Sequence, residues 1–137
     1  MAQNTRFALS IHALCMLAEE DKTATSQEIA EALQTNPVVV RRMLASLHAA
    51  KIISSNKGPN GGSRLARSPK QINLADVYRA SGASSLFHVP EGSAKNRGTV
   101  SAMSGILKKA QECFEEELEQ TTLNQLLKKA AKRNKKK

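Results

Sequence analysis

The stretch SNKGPNGGSRLARSP, residues 55–69, concentrates turn-forming residues and positive charge directly after an apolar helical pattern. It contains three of the chain's seven glycines, two of its four prolines and three of its basic side chains. Glycine reaches backbone conformations with positive φ and lets the chain approach another surface closely. Because short apolar runs flank the loop, the stretch predicts a β-hairpin with strands at residues 51–55 and 63–67, in which Ile53 and Leu65 point inward.

Two helices are predicted immediately before this hairpin. The segment SQEIAEALQ, residues 26–34, has a helical apolar stripe and can be capped by Thr25 or Ser26. The next helix begins with Asn36, a favoured N-cap, and Pro37, a favoured first helical residue. Three valines follow and would favour a strand, but the capped start and the helical spacing favour a helix. Two helices joined by so short a link are a helix-turn-helix candidate.

The outer side of the second of these helices carries the chemistry of a DNA-reading surface. Val40, Leu44 and Leu47 recur at helical spacing and are expected to face inward. The N-terminal part of a recognition helix meets base edges in the major groove, where Arg pairs with guanine and Val contacts the thymine methyl group. The alternative is that the two arginines only form a solvated face. The residues predicted to contact DNA here are Thr35, Asn36, Val38, Arg41 and Arg42.

A helix-turn-helix followed by a hairpin is typical of a winged helix, whose glycine-rich tip can enter a neighbouring minor groove. The alternative is an ordinary flexible hairpin. The loop is not the phosphate cradle of a nucleotide site, because it leads from a helix into a strand. The wing residues predicted to contact DNA are Lys57, Gly58, Pro59, Asn60, Gly61 and Arg64.

The composition favours a mostly helical protein with one compact core. The chain of 137 residues has one Tyr, three Phe and no Trp, so its core must consist of aliphatic side chains. The formal net charge is +9, but residues 128–137, KKAAKRNKKK, hold seven of the basic side chains. We expect this tail to be solvated and disordered. It can add attraction to phosphate, yet it does not by itself define a nucleic-acid binder.

Several other classes of protein are disfavoured. No apolar run approaches the roughly 20 residues that cross a bilayer, and residues 1–18 lack a signal-peptide pattern. We therefore expect a cytoplasmic protein with no membrane partner. No nucleophile with an identifiable base, paired carboxylates or phosphate loop is recognisable, so we expect no enzyme. His12 and Cys15 share a helix face, but a metal needs more ligands, so no metal site is predicted.

A motif begins in the wing and continues beyond it: a basic residue, Gly-Pro-x-Gly-Gly, a strand with Leu, then Pro, Ile and x-Leu-x-Asp-Val. Its positions are Lys57, Gly58, Pro59, Asn60, Gly61, Gly62, Leu65, Pro69, Ile72, Leu74, Asp76 and Val77. The motif and the order of helices resemble the Rrf2 family of bacterial winged-helix transcription regulators, the family of IscR, NsrR and CymR. The resemblance extends to about Leu127, and TNPVVVRRML at residues 35–44 is similar to the YwnA branch.

The resemblance implies a mostly α fold: a winged helix-turn-helix with a short two-stranded β wing, and a long C-terminal dimerisation helix. It implies a homodimer that binds double-stranded DNA through the third helix and the wing, as a repressor. The implied parts are a DNA-binding domain at residues 1–80, a linker loop at 81–99, a dimerisation helix with a short terminal segment at 100–127, and the tail at 128–137. The terminal segment is expected to pack on the partner or on the first helix of the chain, which is predicted at residues 5–17, before the two helices described above.

The dimerisation helix is assigned to residues 100–119, which carry an apolar stripe. Such a stripe usually packs in a core, but a chain this small has little else to cover so long a helix, so a dimer interface is the better explanation. The stripe comprises Met103, Ile106, Leu107, Ala110, Phe114 and Leu118.

One departure from the family concerns its iron–sulfur cluster. Many members carry three closely spaced cysteines before the dimerisation helix, whereas residues 84–100 of this chain contain none. Since thiolates are the usual cluster ligands, we predict no cluster and no other cofactor. Cys15 is expected to be a packed thiol, and Cys113 to be buried beside Phe114. A redox-sensing role or a disulfide across the dimer is the alternative for Cys113.

Two other functions stay open at this point. The winged helix could act chiefly as a protein-interaction module on an enzyme partner, with DNA binding secondary. The basic tail could instead make the chain a sequence-neutral packager of nucleic acid. A small metabolite, a partner protein and thiol oxidation are all compatible signals.

Overall fold

The fold is mostly helical and carries a winged helix, which confirms the predicted class. The computed structural model describes residues 3–20, 23–59, 61–82 and 85–135. Within these ranges no helix combines the length and the apolar character needed to cross a bilayer. The elements in chain order are α1 (Gln3–Glu20), α2 (Ser26–Leu33), α3 (Pro37–Ala49), β1 (Ile53–Asn56), β2 (Gly62–Leu65), a 3-10 turn (Pro69–Gln71), α4 (Leu74–Ala80), a second 3-10 turn (Ala94–Asn96), α5 (Arg97–Glu119) and α6 (Leu123–Lys135).

Helix α1 lies at the centre of the fold and contacts α2, α3, α4, α6 and β2. The core around it is aliphatic, as the composition requires, and burial of each large side chain contributes about 1.5–3 kcal/mol. Every described helix except α5 contributes a buried apolar residue to it. The largest of these side chains are Leu14, Leu17, Ile29, Met43, Leu47, Ile52, Ile53, Ile72 and Leu123.

The hairpin forms with the predicted pairing but with different strand ends. β1 and β2 are antiparallel and Ile53 lies opposite Leu65. Ile53 is buried and Leu65 is half-buried, as expected for inward anchors. The predicted start of β1 was two residues too early, because the preceding residues terminate α3. Lys51 adopts a left-handed φ of 61°, and the N–H of Ile52 donates to the carbonyl of Leu47 at 3.0 Å.

The C-terminal segment is helical where disorder was predicted. α6 continues to Lys135, so residues 128–135 prolong a helix that begins at Leu123. Leu123 is fully buried, and the half-buried Leu126 and Leu127 pack against the core. α6 contacts α1 of the same chain, which confirms one of the two expected placements of the terminal segment. These contacts explain the helix, since a short isolated helix is only marginally stable in water.

Polar contacts fix α5 on α4. The guanidinium of Arg79 donates to the carboxylates of Glu119 and Glu115 at 2.7 and 3.2 Å, and the first of these hydrogen bonds raises the pKa of Arg79. The side-chain amide of Gln111 donates to the hydroxyl of Tyr78 at 3.1 Å. These contacts leave the other side of α5 free of the rest of the described chain.

Candidate nucleic-acid interface

The N-terminal end of α3 is ordered by its cap and faces solvent. The side-chain oxygen of Asn36 accepts a hydrogen bond from the N–H of Val38 at 2.8 Å, and Pro37 begins the helix, as predicted. Val38 is 49% exposed, and both Arg41 and Arg42 are exposed. An exposed apolar side chain next to a guanidinium suits the major groove, because it offers partners to a thymine methyl group and to guanine.

The opposite side of α3 holds this end in place. Val40, Met43, Leu44 and Leu47 are 0–7% exposed, so the three positions predicted to face inward are confirmed. Successive helical residues point about 100° apart, so burying this side leaves Arg41 at its edge and turns Arg42 outward, and both are exposed.

A tight link brings α2 and α3 together. Gln34 adopts a left-handed conformation with φ of 53° and caps α2. The N–H of Thr35 then donates to the carbonyl of Ala30 at 2.9 Å, and the side chain of Thr35 is half-buried. The left-handed conformation of Gln34 therefore turns the chain within three residues and places Asn36 at the start of α3.

The tip of the wing is open to solvent. Lys57, Gly58 and Pro59 are exposed, whereas Asn60, also predicted to contact DNA, lies outside the described residues. Gly58 has a φ of +113°, and nothing lies within 4 Å of the place a Cβ would occupy. The N–H of Gly61 donates to the carbonyl of Gly58 at 2.9 Å, and a side chain at Gly61 would collide with the backbone of β1. The glycines thus shape a narrow loop whose tip can approach another surface.

The base of the wing is fixed to the start of α2. Ala24 and Ser63 exchange backbone hydrogen bonds of 2.9 and 2.8 Å, so the α1–α2 connection pairs with β2. Gly62 permits this pairing, because a Cβ on it would lie 2.6 Å from the carbonyl oxygen of Ala24. Next to this bridge, the hydroxyl of Thr25 accepts the N–H of Glu28 at 3.1 Å and caps α2, as predicted.

Arg67 connects the end of β2 to the end of α3. Its guanidinium donates to the carbonyl oxygens of Ala50 and Lys51 at 3.1 and 3.2 Å, and lies 3.7 Å from the carboxylate of Asp76 in α4. The last carbonyls of a helix lack intrahelical partners, so a cation is favourable there. Arg67 is a positioning residue that the sequence analysis missed, because only the paired strands bring it back to α3.

A cleft of about 350 Å³ joins α3 to the wing. Arg41 and His48 line it from α3, and Ser55 lines it from β1. Neither His48 nor Ser55 was among the predicted site residues, although a spacing of seven residues already placed His48 on the face of Arg41. Arg64 is not brought to this cleft. It pairs with Ser54 across the hairpin, and both line a different cleft beside the end of α1.

The cations of this surface are not neutralised within the fold. Among the described residues, carboxylates pair with Arg67 and Arg79 and with no side chain of α3 or the wing tip. Arg41, Arg42 and Lys57 therefore keep their charge available for an external anion such as phosphate.

A second surface lies on the outer side of α5. Of the 23 residues of this helix, only Gln111 is buried. Met103 and Ile106 are 40% and 70% exposed, whereas Phe114 is half-buried and its ring packs edge-on against Tyr78 at 5.2 Å. The other predicted interface residues are Leu107 and Leu118, which are half-buried, and Ala110, which is exposed.

Comparison with known proteins assigns a family to this arrangement. A profile described as "Iron-dependent Transcriptional regulator" matches residues 3–129. The chain belongs to the Rrf2 family. The resemblance predicted from the wing motif is confirmed, and Rrf2 proteins are transcriptional regulators that bind DNA and are not enzymes.

Individual Rrf2 relatives agree with this assignment. YwnA of Bacillus subtilis, named as an HTH-type transcriptional regulator, is 46% identical over 77 residues, and this match spans 56% of each chain. A solved structure described as a DNA binding protein is 31% identical, has a TM-score of 0.73, and is matched over 89% of this chain and 98% of its own. IscR of T. potens is 25% identical with a TM-score of 0.70, over 92% of this chain and 85% of its own.

The residues of this Rrf2 protein do not fit an iron–sulfur cluster. Its cysteines lie on different helices, Cys15 on α1 and Cys113 on α5. Burial and the nearby carboxylate of Glu19 raise the pKa of Cys15 to about 11, which disfavours the thiolate that binds metal. Within the described ranges no group of three His, Cys, Asp or Glu side chains is placed to hold a metal ion.

The expectation that Cys113 is buried beside Phe114 was wrong. Cys113 is exposed, whereas the half-buried Phe114 turns toward α4. Successive residues of a helix point about 100° apart, so neighbours in sequence lie on different faces. Cys113 follows Ile106 by seven positions and shares its uncovered side of α5.

Proposed function

We propose that this chain is a homodimeric, sequence-specific DNA-binding regulator that acts in the cytoplasm as a transcriptional repressor. The observation that carries the proposal is the open end of α3, where Val38 and Arg41 are exposed beside a cleft shared with the wing. In this arrangement the end of α3 enters the major groove, and Lys57 at the wing tip approaches the adjacent backbone and minor groove.

The homodimer is supported by the exposed part of the apolar stripe on α5, which consists of Met103, Ile106 and Ala110. A helix of 23 residues is about 34 Å long, and an aliphatic side chain that is 70% exposed at its middle, Ile106, is unfavourable in water. A second copy can cover it with the same stripe, since a two-fold interface is self-complementary. Two copies of α3 would then read half-sites about 34 Å apart, or a multiple of this distance, on a near-palindromic operator.

Footprinting of the purified protein on the DNA upstream of its own gene tests the proposal. We expect protection of one discrete near-palindrome. Arg41→Ala should cost about 1–3 kcal/mol per half-site and relax the choice of base at one position of each, whereas Lys57→Ala should weaken all sequences alike and lower the salt slope by about 1 per subunit. Arg97→Ala and Lys95→Ala, which remove exposed cations near the start of α5, are matched controls.

Two outcomes would contradict this function. If the protein protects no discrete site, the proposal that it recognises a specific DNA sequence is wrong. Binding of an enzyme partner by the winged helix then becomes the better explanation. If Arg41→Ala and Arg97→Ala bind the operator equally well, the role of α3 is wrong even though the protein binds DNA.

A further inference from the structure

The C-terminal half of α6 has a face of basic residues opposite its packed side. Leu123, Leu126, Leu127 and Ala130 recur at helical spacing, and this side is the one that packs on α1. The helix contains no acidic residue. All its described cations are exposed, and these are Lys128, Lys129, Lys132, Arg133 and Lys135.

The end of α6 lies beside the helix-turn-helix. Ala130 and Asn134 of α6 line one cleft of about 470 Å³ together with Ala32 and Leu33 at the end of α2. Leu33 is only three residues before Asn36, the cap of α3, so at most about 11 Å of chain separates them. The end of α6 therefore lies near the turn that connects α2 to α3.

Two of the cations flank this cleft. Because successive helical residues point about 100° apart, Arg133 and Lys135 project to either side of Asn134, which lines the cleft. Neither forms an ion pair with a carboxylate of the described residues. The helix dipole favours cations in the last turn of a helix, where both residues lie.

We propose that Arg133 and Lys135 form a second phosphate-binding element, which contacts the DNA backbone outside the half-site read by α3. The proposal rests on the proposed function only for the position of the DNA. A polyanion fits the site because α6 itself carries no acid, although Glu19 of α1 lines the same cleft. The cations of α3 and the wing tip nearby form no ion pair with a carboxylate of the described residues. Such contacts add affinity for any sequence and do not select bases.

The test compares two variants of the full chain that lose the same charge. Arg133→Gln/Lys135→Gln removes the flanking pair, and Lys108→Gln/Lys109→Gln removes two exposed cations of α5 as the control. Binding to a random-sequence duplex is measured across a salt series. Each lost phosphate contact lowers the slope of log K against log salt by about 0.9, so the α6 variant should lose about 1.8 per subunit, or about 3.6 for the proposed dimer, and the control nothing.

Hydroxyl-radical footprinting on the operator locates the contact. Wild type should protect backbone positions outside each half-site, and the α6 variant should lose this protection while it keeps the protection within the half-site. Circular dichroism of both variants checks that the helical content is unchanged.

Three results would overturn the proposal. One is an unchanged salt slope for Arg133→Gln/Lys135→Gln with wild-type helicity. Another is an equal loss in the α5 control, which would mean that only net charge matters. The third is that Arg133→Gln/Lys135→Gln binds phosphatidylserine vesicles more weakly than wild type but binds DNA equally well. This result would mean that the basic face of α6 binds a membrane surface. If wild type protects no discrete operator, the proposed function fails, but the random-duplex slopes still decide the role of α6.

Discussion

Helices α3 and α5 are both amphipathic, but the fold uses their apolar faces differently. α3 buries Val40, Met43 and Leu47 completely, so its apolar side is consumed within one chain. α5 leaves Ile106 and Met103 exposed and buries only a glutamine. A buried stripe fixes a helix so that its polar side can be read by another molecule, whereas an uncovered stripe is itself the surface to be bound. Under the proposed function the same sequence pattern therefore serves two kinds of recognition, DNA binding by α3 and dimerisation by α5.

The largest expected effect follows from truncating the buried stripe. Leu47→Ala removes a side chain with 0% exposure and should lower the free energy of unfolding by about 2–5 kcal/mol. Urea denaturation at several protein concentrations measures it, and the loss should not depend on concentration. Ala45→Gly, at an exposed position of the same helix, should cost only about 1 kcal/mol and serves as the control. Equal losses in both variants would mean that α3 does not depend on this core.

The next effect concerns the uncovered stripe. Ile106→Glu should place a charge in the proposed interface and weaken dimerisation by at least about 3 kcal/mol, roughly a hundredfold, while the monomer remains folded. Sedimentation measures the dimer, and circular dichroism measures the fold. Ser101→Glu, exposed on another face of α5, should leave the dimer intact. If Ile106→Glu dimerises as tightly as wild type, the dimer interface does not include Ile106.

A smaller effect is expected in the rates at which the two cysteines react with a thiol label, because Cys113 is exposed and Cys15 is half-buried. In the variant Cys15→Ser, labelling of Cys113 should slow as protein concentration rises, because the proposed dimer would cover the side of α5 that carries Ile106. In Cys113→Ser the remaining thiol has a pKa of about 11, so only about one molecule in a thousand is thiolate at pH 8 and labelling should be slow at every concentration. Its rate should increase as the pH is raised toward 11. Rapid labelling of Cys15 at pH 8 would contradict its burial.

The smallest effect compares the two helix caps. Asn36→Ala and Thr25→Ala should each cost about 1 kcal/mol of stability in urea, because each removes a side-chain acceptor from the first turn of a helix. Only Asn36→Ala should also weaken operator binding, since it loosens the end of α3. Operator binding reduced equally by both changes would show that the caps act only through global stability.

Local chemistry made much of the fold predictable. Thr25, Asn36 and Pro37 mark the starts of α2 and α3 because capping depends on adjacent residues, and the glycines mark the wing for the same reason. The inward face of α3 followed from spacing alone. The exposed positions of Val38 and Arg41 then followed by exclusion.

Features that depend on distant pairs escaped the sequence analysis. The Ala24–Ser63 bridge and the contacts of Arg67 exist only once the hairpin has folded against α1 and α3. The disorder predicted for the tail was wrong because charge composition was weighed without the leucines that hold α6 on α1. The exposure of Cys113 depends on which side of α5 the rest of the chain covers, which no local pattern specifies.

The bridge between Ala24 and Ser63 restricts how this protein can release DNA. That bridge and Arg67 attach the wing to the rest of the helix-turn-helix within one subunit. A signal that shifted the wing alone would have to break both attachments. If the proposed dimer binds DNA as inferred above, we therefore expect regulation to change the separation or tilt of its two DNA-binding domains, so that their spacing no longer matches the helical repeat of DNA.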